Sequence, residues 1–266
     1  FGLYSELYEI ACKEDDTRLK TFADNQFYGR FLELPADVVG YNRYFGWYKE
    51  AGSAENFGEW LDLYHNEKEK RPVCLSEYGG GGGVSPHKDN VDLGRDIDPV
   101  GVRHYENYQS QLHEILWKQF SVRKYLWAEF IWCMFDFASY GRTEGDTKSL
   151  NDKGLCTRER IPKDVYFFYR SVWSSEKTVY ITERRHEFRA CDVPFVKVYS
   201  NADAVELCIN DVSYGRISRC ELPNDESTVF VWENIKIKPD TKNKICAKAY
   251  FSDGTSRTDY AFWTGK

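Results

Sequence analysis

Residues 72–83 read "PVCLSEYGGGGG". A proline opens a short apolar run of Val73, Cys74 and Leu75, and Ser76, Glu77 and Tyr78 lead into five glycines. Such a run between turn-forming residues reads as a buried strand. Glu77 then stands at the strand's C-terminal end, where parallel barrels keep their reactive groups. Glycines behind it let the backbone turn sharply and leave room for a ligand beside the carboxylate. A phosphate loop would continue Gly-Lys-Ser/Thr, whereas this tract ends in Val84-Ser85-Pro86. A mobile surface loop with an incidental acid is the plain alternative, and spacing alone leaves the two readings level.

Working outward, short apolar runs alternate with helical patterns up to about residue 174. "SELYEIACKED" carries Leu7, Ile10 and Ala11 at helical spacing, and "DVVGYNRY" follows as a strand. "AENFGEWLDLYHNEKEK" is a helix with a charged end. "VGVRHYENYQSQLHEILWKQF" is predicted as one long helix with Val102, Tyr105, Tyr108, Leu112, Ile115 and Leu116 on one face. "YLWAEFIWCMFDF" reads as a long apolar strand bearing Trp132 and Asp136, and "PKDVYFFYRSVW" as a last helix opening on Pro162. Alternation of this kind, with near-continuous apolar strands, implies a parallel sheet covered by helices.

From about residue 190 the period changes to two. "FVKVYS", "AVELCIN", "TVFVWENIKI" and "KICAKAYF" alternate apolar and polar residues. Turn clusters at Asn210-Asp211, Pro223-Asn224-Asp225 and Ser252-Asp253-Gly254 separate them, so an antiparallel sandwich is expected. The division expected is 1–174 for the α/β part, 175–190 for a linking segment and 191–266 for the sandwich.

Composition bounds the function. With 266 residues the chain can bury a sizeable core. A formal charge of -6 argues against nucleic acid, which needs a basic face. No apolar run reaches the roughly 18 residues of a membrane span, and nothing reads as a signal peptide. The eight cysteines are scattered and none has CxxC spacing, so neither a disulfide framework nor a metal site is expected. Cysteine usage leans toward a reducing compartment without deciding it. Aromatic content of 17%, with eight Trp and nineteen Tyr, suits a cleft in which sugar faces stack on rings. The chain begins at Phe1, inside a helical pattern, which is expected of a piece of a longer protein.

The other predicted strand ends bear on Glu77. "GYNRYFGWY" sets Asn42, Tyr44, Trp47 and Tyr48 together, and Trp132 is large for a core position and has an N–H to satisfy. "DVVGYNRYFGWY", "RPVCLSEYG", "FIWCMFDFAS", "RTEGD" and "NDKGLCTRERIPKDVYFFYRSVW" occur in an order and spacing that resembles glycoside hydrolase family 2. Within it the sequence looks most like bacterial β-galactosidases, with β-glucuronidases as near relatives. The resemblance covers the first 174 residues, and "VELCINDVSYG" departs from the usual Asn-Gly turn of the domain that follows in these enzymes.

The resemblance implies the C-terminal half of a TIM (β/α)8 barrel followed by an immunoglobulin-like β-sandwich. It implies hydrolysis of terminal β-linked sugars, most of all β-galactosides, through a covalent glycosyl-enzyme, with no cofactor and no metal. Glu77 matches the nucleophile, Asn42 and Tyr44 the pocket floor, and Trp132 the ring that packs on the sugar. Asn151 and Lys153 of "NDK" match a pair that contacts a sugar carboxylate in glucuronidases, but galactosidases carry the same letters. His87 and Glu144 border the pocket or are surface residues. The acid/base glutamate of the family follows an asparagine. "FGLYSE" nominates Glu6, yet its closeness to "EDDTR" sets the expected acid/base upstream of Phe1. Partners implied are a β-linked saccharide and upstream domains of the same protein, with further copies of the chain an open option and no nucleic acid or membrane. β-Glucuronidase and a non-catalytic saccharide-binding module are the alternatives, and the compartment stays open between bacterial cytoplasm and periplasm.

Overall fold

The computed structural model describes residues 2–26, 32–223 and 227–266. Asn224 and Asp225 of the second expected turn, and Phe1, lie outside them.

Helix α1 (Gly2–Glu14) precedes a parallel sheet of β1 (Ala23–Asp24), β2 (Val39–Asn42), β3 (Val73–Tyr78) and β4 (Leu126–Ile131), paired in chain order. Helices α2 (Phe57–Leu63) and α3 (Glu106–Phe120) make the crossovers, and α4 (Asp164–Trp173) follows β4. The expected helix at 54–70 is a single 3-10 turn, α2 and a π turn at Tyr64–Lys68. The helix expected from Val100 starts only at Glu106, after an extended Tyr105, and Val102 is exposed outside it.

β3 is covered on both faces, which is why its run is apolar rather than alternating. Leu75 and Tyr78 are fully buried with Leu112, Leu116 and Phe120 of α3 and Val165 of α4. Tyr78 meets Phe120 edge-on at 5.0 Å. α1 is different, since none of its residues is buried and Leu3, Leu7 and Ile10 face solvent. The run "YLWAEFIWCMFDF" is not one strand. After Ile131 its backbone turns from the sheet to residues 153–156, with Cys133 N donating to Lys153 O at 3.2 Å and Cys156 N to Met134 O at 2.9 Å. That contact is parallel, and β5 (Phe137–Ala138) and β6 (Leu150–Asn151) follow it as a separate antiparallel pair.

Residues 175–190, read above as a linking segment, carry two strands, β7 (Val179–Ile181) and β8 (Phe188–Arg189). They join β9 (Asp192–Ser200), β10 (Ala204–Ile209), β11 (Val212–Ser218), β12 (Val229–Lys236), β13 (Lys242–Tyr250) and β14 (Ser256–Gly265) in two sheets. One sheet runs β11-β10-β13-β14-β8 and the other β12-β9-β7. All pairs are antiparallel except β8 with β14. Alternate residues of both sheets, among them Val196, Val198, Leu207, Phe230, Ile245 and Trp263, close a second core. Asn210 and Asp211, both at positive φ, form the two-residue turn between β10 and β11. β9 also faces the first core: Tyr199 packs on Phe168, and Lys197 and Tyr199 both donate to Glu114 of α3.

Candidate active site

Parallel pairing sets Asn42 opposite Glu77, so the ends of β2 and β3 arrive together. Arg43 N donates to Glu77 O at 2.9 Å, which lets the next residue, Tyr44, turn over the strand end. Its hydroxyl donates to Glu77 Oε2 at 2.6 Å, a charge-assisted bond to a half-buried carboxylate. Burial, then the Glu77 carboxylate itself, hold the Tyr44 phenol well above its ordinary pKa, so it stays a donor. Asn42 Oδ1 is taken by the Ser76 hydroxyl at 2.7 Å.

Lys153 comes to the same place from the turn after β6. Its Nζ donates to Tyr48 OH at 3.0 Å and lies 5.1–5.6 Å from the ring centres of Tyr44, Trp47 and Tyr48. An ammonium over three ring faces is a favourable electrostatic arrangement. Burial pushes the Tyr48 phenol up, but Lys153, then Arg142, outweigh it and bring it below its usual value. Asn151 is buried and its Oδ1 accepts from Lys153 N at 3.1 Å, so it shapes the turn that presents the lysine. Trp132 sits one residue past β4, with its backbone N–H on Tyr78 O at 3.0 Å, and the residue is 37% exposed. It meets Phe137 edge-on and lines a shallow groove with Met134, Phe135 and Arg160.

The glycines behind Glu77 are buried, and protein rather than ligand fills the space beside them. Gly79 turns the chain at φ +124, and a Cβ there would lie 2.8 Å from His113. A Cβ on Gly80 would meet Leu112 and Trp47 at 2.7–2.8 Å, and one on Gly81 would meet Asp152 Oδ1 at 2.4 Å. The tract is a packed seam between α3 and the "NDK" turn.

Residues that motif matching did not select hold this seam. Lys163, fully buried, donates to Gly82 O, Asp136 Oδ1 and Asp152 O at 2.6, 2.8 and 2.9 Å. Asp136 is pushed up to about 6 by burial, against the pull of Lys163. Asp152 Oδ2 pairs with His104 Nδ1 at 2.7 Å. Burial would raise Asp152, but His104, Lys163 and Lys153 bring it below the usual carboxylate range. A buried cation among carbonyls leaves no periodic signal in a sequence, which is why Lys163 went unread.

Other candidates lie apart. His87 bonds Val84 O through Nε2 at 3.1 Å and stacks on His186 at 5.3 Å, in the joint with residues 183–189. Glu144 pairs with Arg142. Glu6 is exposed on α1. Asp89, Glu183 and His186 bring ligand-type atoms within 4.8 Å of one another, but Arg189 pairs with both carboxylates, with Asp89 at 2.7 Å and with Glu183 at 2.9 Å.

Residues 3–178 match the TIM barrel domain of glycosyl hydrolases family 2, and residues 193–257 match a domain of unknown function, DUF4982. A β-glucuronidase of Bacteroides fragilis is 34% identical over 234 residues, 87% of this chain and 32% of that protein. The crystal structure of an FMN-binding β-glucuronidase from Facaelibacterium prausnitzii L2-6 is 31% identical, with a TM-score of 0.84 over 99% of this chain and 38% of its own. That of a candidate β-galactosidase from Bacteroides fragilis is 28% identical, with a TM-score of 0.86 over all of this chain and 38% of its own. The chain thus spans about a third of the length of these relatives. By the barrel match over two thirds of its residues, it belongs to glycoside hydrolase family 2.

Proposed function

We propose that this chain carries the nucleophile half of a retaining β-glycosidase site, with Glu77 as the nucleophile. The observation that carries the reading is the 2.6 Å bond from the Tyr44 hydroxyl to Glu77 Oε2 at the end of a parallel strand. Tyr44 fixes one oxygen and leaves Oε1 to attack the anomeric carbon. The C1–O bond breaks as the leaving oxygen takes a proton from a second carboxylic acid, and water, deprotonated by that same group, then releases the sugar from Glu77. The second carboxyl must stand about 5 Å from the first. Glu6, exposed on α1, is not our choice, and we assign that role to a residue upstream of Phe1. Trp132 supplies a wall for the sugar ring, and Asn42 lines the floor. The barrel half, 1–174, and an immunoglobulin-like sandwich that takes in β7 and β8 and so begins at Val179 rather than at 191 are the units we infer.

The test in the full-length enzyme is Glu77→Gln together with labelling by 2-deoxy-2-fluoro galactosyl and glucuronyl fluorides. Label on Glu77, with the variant folded and inert, is the expected result. Label on another residue, or activity above roughly 1% of the wild type, overturns the assignment.

On the sugar, the sequence resemblance favours a β-galactoside, and one observation favours a β-glucuronide. Lys153 puts a buried ammonium beside the Tyr48 hydroxyl and over the ring of Tyr44, the residue that holds Glu77, a natural seat for a C6 carboxylate. Lys153→Met is expected to lower kcat/KM for nitrophenyl glucuronide by roughly 100-fold or more and to leave the galactoside within about threefold. The reverse pattern would select the galactoside.

A further inference from the structure

Cys208 and Cys246 stand directly opposite one another in the antiparallel pairing of β10 with β13. The pairs on either side, Leu207 with Ala247 and Ile209 with Ile245, are buried in the sandwich core. Side chains alternate between faces along a strand, so the two cysteines share the opposite, outer face. Both are partly exposed and carry free thiols. Directly opposed residues in an antiparallel pair have Cα atoms about 4.5–5.5 Å apart, inside the range of about 4.4–6.8 Å that a disulfide accepts. The other cysteines have no such arrangement. Cys74 and Cys156 are buried, and the Cys133 thiol donates to Phe135 O at 3.2 Å. Cys12, Cys191 and Cys220 have no cysteine opposite them in a described strand pair.

We propose that Cys208 and Cys246 form a reversible redox pair that closes a cross-strand disulfide on the outer face of the five-stranded sheet. A disulfide oxidant of the glutathione class suffices. One cysteine thiolate attacks oxidised glutathione and expels a glutathione thiolate. The second thiolate then attacks the mixed disulfide and expels the other glutathione. The protein loses two electrons and two protons, and two molecules of reduced glutathione carry them away. Burial, then the Glu206 carboxylate, hold the Cys208 thiol above its ordinary pKa, and burial, then Cys208 itself, do the same for Cys246. Closure therefore runs through a small thiolate fraction and quickens with pH, by roughly tenfold per unit below those values.

The experiment treats the folded protein with excess oxidised glutathione at about pH 8, alkylates the remaining thiols and maps peptides by mass. Two fewer alkylated cysteines than the initial eight, one linked peptide pair joining Cys208 to Cys246, and recovery of all eight on reduction are expected. Cys208→Ser should remove the link and leave Cys246 as a persistent glutathione adduct. Eight thiols still free, a bridge through Cys12, Cys191 or Cys220, or stable glutathione adducts on both Cys208 and Cys246 of the wild type would each overturn the proposal. The wild-type map decides the matter even if the serine variant fails to fold.

Discussion

His113 is enclosed between Tyr78 and Tyr169, with no exposed surface. Its Nδ1 meets the Tyr169 hydroxyl at 2.8 Å, and that hydroxyl meets Tyr78 OH at 3.0 Å, one residue from Glu77. Burial pushes its pKa down to about 3, so the ring is neutral inside the folded protein. The unfolded chain protonates an ordinary histidine below about 6.5. The unfolded state therefore takes up the extra proton as pH falls, and stability present above 6.5 drains away toward 3. From this residue alone the loss is about 2 kcal/mol at pH 5 relative to pH 7. Urea unfolding of the wild type and of His113→Asn at both pH values measures it, and equal pH slopes in the two proteins would refute the account. None of this was legible in the sequence, where His113 is one polar letter in a helical stripe. Its burial comes from Gly79 on another element, whose missing side chain leaves the imidazole its space.

At the scale of the element, the run from Val73 to Glu77 could be read directly, because a short apolar run between a proline and a turn cluster has few other fates. So could the alternation of β9, β10, β12 and β13, whose inward residues fill one core. The glycine tract was half legible. That the chain must turn at Gly79 follows from local chemistry, but the seam beside Gly80 to Gly82 is made by Trp47, Gln109, Leu112 and Asp152, far away in sequence. β11 and β14 went unread since their exposed faces dilute the alternation. The apolar run ending at Phe137 was read too long for the opposite reason: burial against residues 153–156 looks, letter by letter, like burial in a sheet. For Gly81→Ala, a Cβ at 2.4 Å from Asp152 Oδ1 and 3.0 Å from Trp47 and His104 leaves nowhere to relax. We expect it to cost about 1–3 kcal/mol, read as a lowered melting temperature, together with displacement of Lys153 and weaker substrate binding. A variant as stable as the wild type would mean that the seam yields easily.

For the molecule as a whole, β1 and β4 are the outer strands of a four-stranded parallel sheet, and Trp127 and Phe130 of β4, like Leu3, Leu7 and Ile10 of α1, are exposed. Unpaired strand edges and bare apolar faces associate. The 266-residue chain by itself is expected to sediment as oligomers at micromolar concentration and to show no turnover of nitrophenyl glycosides. On the reading proposed above, supplying an upstream barrel half should restore activity that depends on Glu77. A monodisperse, active monomer would show that one chain holds the whole site. The first core and the second, by contrast, are tied to each other by polar as well as apolar contacts. Glu114, on the helix that underlies the glycine seam, receives both Lys197 and Tyr199 from β9. An engineer who treats the C-terminal sheets as a detachable cassette would strip that carboxylate of both partners and bare the ring of Phe168. A successful chimera must carry the Glu114 socket across with whatever strand it is given to hold.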